Sequence, residues 1–93
     1  MGLEDVELMM DVEDAFGIAL PDEPMQRMVT VGDLYDLVLP LVRETGPEAL
    51  RGRADLEAHL WLRVRELAAA HAYKVRPEEI TRDTRFVEDL GYG

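Results

Sequence analysis

The side chains able to do chemistry in this chain are mostly carboxylates, with two histidines and four threonines beside them. Glu78–Glu79 and Glu88–Asp89 are neighbouring acids of the type used in general acid–base catalysis. Such work also needs a histidine or a nucleophile held with them in a pocket, and the sequence places none there. Turn or solvated roles suit these pairs better. His59 and His71 are twelve residues apart, about 120° around a helix, and do not form the i, i+4 pair of a helical zinc site. They read as surface or core-edge histidines. There is no cysteine, so neither a thiolate metal site nor a disulfide is available. There is also no serine; Thr30, Thr45, Thr81 and Thr84 are the only aliphatic hydroxyls. No catalytic constellation and no metal site is expected, so the chain does not read as an enzyme.

These residues must be positioned by a small structure. At 93 residues with 47% hydrophobic content, one domain with a single core is expected. The longest apolar run, "LVLPLV", is six residues and contains Pro40, far short of the ~18 needed to span a bilayer. No secretory signal is visible and cysteine is absent, which fits the cytoplasm. The net charge of −10 argues against nucleic acid and anionic membrane as partners. Residues 1–50 hold twelve acids against Arg27 and Arg43, while residues 51–93 hold eight acids and eight bases. A basic partner is therefore drawn to the first half.

The periodicity predicts an all-α chain of three main helices with short pieces. Residues 3–16 repeat Leu8, Val12 and Phe16 at helical spacing, with Met9 beside them and Gly17 as a C-cap. Val6 and Met10 fall well off that stripe, which suits exposed positions, although Met10 reads equally well as core filler. "ALPDEPMQRM" reads as a connector with at most a short helix. The next helix starts at Thr30, with Asp33 completing a capping box, and lines its inner face with Val31, Leu34, Tyr35 and Val38. Pro40 is expected to end or kink it near Leu39. Residues 43–53 read as a polar linker. The longest helix is expected from an Asp55 N-cap to about Ala72, with Leu56, Leu60, Val64 and Leu67 as its core stripe. After it, Val75, Ile80, Phe86 and Leu90 are expected to plug the core, and Pro77 opens a short turn. Trp61 lies off the stripe and reads as partly buried packing.

Two stretches carry a resemblance. "VRPEEITRDTRFVEDLG" resembles the segment that precedes the modification site of acyl carrier proteins. "LEDVELMMDVEDAFGIALPDE" together with "TVGDLYDLV" resembles the segment on the C-terminal side of that site. In the family the first stretch leads to a D-S-L sequence, whose serine carries a phosphopantetheine arm. Here the two stretches stand in reversed order. The resemblance implies a small three-to-four-helix bundle of acyl-carrier type with permuted helix order. Residues 1–42 would be the second half of the family fold, 43–53 the join, and 54–93 its first helix and long loop.

The same comparison places Gly2 at the serine's position and Met1 at that of its aspartate. Glycine has no hydroxyl, so phosphopantetheine is implied by family resemblance only, and no cofactor is expected in this chain. The family docks acids and exposed apolar residues of its second helix on basic patches of synthase, ligase or transferase enzymes. The matching positions here are Glu4, Glu7, Met10, Asp11, Glu13 and Asp14. On one reading, the chain is a rearranged carrier-like domain of a fatty acid, polyketide or related thioester pathway. Alternatively it is a serine-less pseudo-carrier that serves as an interaction or regulatory module. A monomer is expected in either case, and pairing of the halves between two chains would give a swapped dimer.

Overall fold

Leu8, Val12 and Phe16 are all buried and define the inner face of helix α1, Leu3–Phe16. The computed structural model describes residues 3–93, with only the backbone of Leu3. Glu4 and Asp5 occupy the first turn of α1, where the helix dipole favours acids. Gly17 ends the helix with φ +62°, and its N–H donates to the Glu13 carbonyl at 2.9 Å. The Glu13 carboxylate accepts the Leu20 N–H at 2.8 Å, which turns the exiting chain inward. Ile18 and Leu20 are buried there. The connector contains one short helix, α2, Asp22–Gln26, anchored by buried Met25.

Helix α3, Val31–Thr45, opens with the expected capping box. The Asp33 N–H donates to Thr30 Oγ1 at 3.1 Å, while Asp33 Oδ2 accepts the N–H groups of Val29 and Thr30, each at 3.0 Å. These backbone donors, Val29 first, hold the Asp33 carboxyl below its ordinary range. Thr30→Ala is expected to cost about 1 kcal/mol, read as a lower urea midpoint at unchanged slope.

Pro40 does not end this helix, which runs a further turn to Thr45. A helical proline costs about 3 kcal/mol. On the far side of it, Val42 is fully buried in line with Val38, and that burial offsets about 2 kcal/mol. The Thr45 hydroxyl donates to Leu41 and the Gly46 N–H to Val42, so the last turn keeps its partners. The stretch read as a linker therefore carries the end of α3 and a one-turn helix α4, Glu48–Arg51. It lies against the end of α1, because a Cβ on Gly17 would meet Pro47 Cγ at 3.0 Å.

Helix α5, Leu56–Ala70, packs against both α1 and α3. Its buried stripe is Leu56, Leu60, Val64 and Ala68, joined by Ala69. Leu67 was expected in this stripe but is only half-buried, since the i, i+4 series from Val64 reaches Ala68 instead. Asp55 precedes the helix but makes no side-chain cap. Its carboxylate binds the Arg53 guanidinium at 2.9 and 3.1 Å. The helix stops at Ala70, two residues before the expected end.

A 3₁₀ turn, Pro77–Glu79, leads into the final segment. That segment lies against the start of α3: Val31 N donates to Thr84 O at 2.9 Å, Gly32 N to Arg82 O at 3.0 Å, and Phe86 N to Val29 O at 3.0 Å. Ile80, Phe86 and Leu90 are buried as expected, and Val75 is half-buried. Among the described residues the architecture is all-α, a small helical bundle compatible with the acyl-carrier type, and no helix is long and apolar enough to cross a membrane.

Candidate functional site

The outward face of α1 is where the acids and the exposed apolar residues meet. Val6 is 42% exposed and Met10 58%, one turn apart on the same face. Glu7 and Asp14 are exposed beside them, which matches the angular placement expected from the sequence. The other three acids singled out are less free. Glu4 is half-buried, Glu13 is committed to the Leu20 N–H, and Asp11 Oδ2 lies 2.6 Å from His71 Nε2. Glu7, Met10, Asp11 and Asp14 thus share the outward side of α1, with Glu7 and Asp11 both facing His71, whereas Glu4 and Glu13 lie on its opposite flanks.

Behind this face lies an apolar groove of about 360 Å³ between α1, α2 and the final segment. Leu8, Met9, Met25, Met28 and Phe86 supply its floor and walls. Flexible methionines adapt such a space to occupants of different shape. Asp5, Leu8 and Met9 line it from α1, and Phe86, Val87 and Glu88 from the opposite end of the sequence. The "FVED" stretch and the first turns of α1 are therefore side by side.

Tyr92 reinforces this juxtaposition and was not foreseen from the sequence. Its side chain is 2% exposed, its ring packs on Phe86 at 5.2 Å, and its hydroxyl donates to Ala68 O at 2.7 Å. Burial pushes the phenol pKa upward, and the nearby carboxylates of Asp5, Glu4 and Asp11 push it further. The end of the final segment thus lies within the field of the first turns of α1. In sequence it stood in a glycine-rich "LGYG" with no periodicity to mark it. Gly2 and Met1 lie outside the described residues.

Three of the four paired carboxylates are engaged by arginines. Arg76 holds Glu79, and Arg85 holds both Glu88 and Asp89. Hydrogen bonds from the backbone N–H groups of Arg76 and Arg85, and then from the same arginines' side chains, keep the Glu79 and Asp89 carboxyls below their ordinary range. A proton donor would need the opposite shift. Among the described residues no group of three potential ligands could hold a metal ion. Trp61 packs edge-on against Tyr35, with ring centroids 5.5 Å apart.

No protein-family model matches the chain. No solved structure matches it either. Among curated proteins it is 42% identical over 36 residues to one named acyl carrier protein, from Thermosynechococcus vestitus (strain NIES-2133 / IAM M-273 / BP-1). That match covers 39% of this chain and 44% of the relative, so it spans under half the length of either. Over those residues, and in its helical architecture, the chain is similar to an acyl carrier protein.

Proposed function

We propose that this chain is an acyl-carrier-like domain with its two halves in reversed order. It docks basic enzymes of a fatty acid or related thioester pathway through α1 and does no catalysis itself. The observation that carries the reading is the shared groove, in which the "FVED" segment lies against the first turns of α1 although the two are far apart in sequence. In acyl carrier proteins those pieces are consecutive. The similarity to a curated acyl carrier protein supports the same reading.

The docking surface is Val6, Glu7, Met10 and Asp14. Two exposed apolar side chains flanked by acids suit a partner surface that carries arginine or lysine around an apolar contact. The excess of acids in the first half of the sequence strengthens long-range attraction to that partner. Glu7→Lys combined with Asp14→Lys is expected to weaken binding to a phosphopantetheinyl transferase by about tenfold or more at low salt, with the difference shrinking as salt rises. Both sites are exposed, and because Glu7 also faces His71 Nδ1 at 3.5 Å the variant's fold is checked by circular dichroism alongside. Unchanged affinity in calorimetry would remove this face from the docking reading.

The absence of serine favours a second reading within the same surface. The chain then keeps the carrier's recognition face without its covalent chemistry and acts by occupying, recruiting or regulating a carrier-dependent enzyme.

A further inference from the structure

His71, the residue that ends α5, is clasped by α1. Its side chain is 15% exposed. Its two ring nitrogens face carboxylates on successive turns of α1. Nε2 lies 2.6 Å from Asp11 Oδ2, and Nδ1 lies 3.5 Å from Glu7 Oε2. The first distance is a strong hydrogen bond and the second an ion-pair separation. A neutral ring can donate to Asp11 alone, whereas an imidazolium can donate toward both.

We propose that His71 decides how much of the acidic face a basic partner can use. It withholds Asp11 in an internal hydrogen bond and shares Glu7. Val6, Met10, Asp14 and the free side of Glu7 remain as the open contact. A partner's guanidinium can take both oxygens of Asp11 only by displacing the imidazole from Oδ2. The contact between α5 and α1 is thus a selectivity device as well as a staple, since it rewards partners whose cations align with Glu7 and Asp14 rather than with Asp11. This inference rests on the proposed docking of α1.

The test is a calorimetric titration of a phosphopantetheinyl transferase with four forms: wild type, His71→Leu, His71→Gln and Asp11→Asn. The leucine fills the space but frees Asp11, so binding should tighten by about two- to tenfold, the value of one released hydrogen bond, and depend more steeply on salt. The glutamine amide can still donate to Asp11 and should stay within about twofold of wild type. Asp11→Asn in the native background should also stay within about twofold, because the oxygen a bidentate partner needs is already bonded to His71. A loss in Asp11→Asn as large as that of an Asp14→Asn control overturns the inference, and this arm does not depend on how well His71→Leu folds. A folded His71→Leu protein that binds no tighter than wild type overturns it as well. If wild type itself fails to bind, the docking reading falls first, a result distinct from either.

Discussion

Tyr92→Ala is expected to lower the unfolding free energy by about 3–5 kcal/mol, the usual cost of emptying a buried aromatic site. Domains of this size hold about 5–15 kcal/mol in total, so the variant should be close to unfolded at 37 °C. Two contacts account for the size of the effect. The ring fills the space beside Phe86, at the junction of the final segment with α1 and α5. The hydroxyl serves Ala68 O, near the end of α5, where the Ala72 N–H turns to Ala69 O instead. Tyr92→Phe keeps the ring and should cost only about 1 kcal/mol. Urea unfolding of the two variants separates ring from hydroxyl. A Tyr92→Ala protein within 1 kcal/mol of wild type would contradict the placement of this side chain.

The same residue carries a pH signature. The folded state raises the Tyr92 pKa above its ordinary value of 10.0, so it favours the neutral phenol. Stability from this group is full below about pH 10 and is lost as pH rises beyond it toward the folded-state value. Wild type should therefore lose stability above about pH 10 more steeply than Tyr92→Phe does.

Gly32→Ala is expected to cost about 2–3 kcal/mol, far more than its position in a helix suggests. A Cβ there would sit 2.7 Å from Arg82 O, a backbone atom that cannot rotate away. The final segment would have to move off the start of α3. That loosens three hydrogen bonds, from Gly32 to Arg82, Val31 to Thr84 and Phe86 to Val29, each worth about 1 kcal/mol. In an unobstructed helix the same change would stabilise by about 1 kcal/mol. The sign of the measured change therefore reports whether the segment lies where described. Because that segment delivers Phe86 and Val87 to the groove, native-state hydrogen exchange in residues 82–92 should quicken in the variant.

The local rules in the sequence reached the helices and their caps. Leu8, Val12 and Phe16 marked the inner face of α1, and Thr30 with Asp33 marked the start of α3, because each signal is complete within one or two turns. Pro40 misled, since a local breaker was outweighed by Val42, whose burial depends on a helix distant in sequence. Leu67 misled for a similar reason: the partner surface, not hydrophobicity alone, sets which of two neighbouring stripes faces inward. Of the site, the exposed Val6 and Met10 were legible from helical angles alone. The commitment of Asp11 to His71 was not, because sixty residues separate them and only the packing of α5 on α1 brings them together. Tyr92 gave no periodic signal at all.

Under the proposed function, α1 and the final segment together present the recognition face of an acyl carrier protein, while Gly2 and Met1 replace the acceptor serine and its preceding aspartate. Intact-mass measurement after incubation with a phosphopantetheinyl transferase and coenzyme A tests this directly. Wild type should gain no mass, because the chain contains no serine and the proposed arrangement puts Gly2 at the acceptor position. The Gly2→Ser variant should gain one phosphopantetheine arm, because it restores an acceptor hydroxyl next to the proposed recognition face even though Met1 still stands at the aspartate's position. A wild-type adduct would contradict the assignment of the missing acceptor. A folded Gly2→Ser protein that stays unmodified at saturating transferase would contradict the claim that these two segments reconstitute a carrier site.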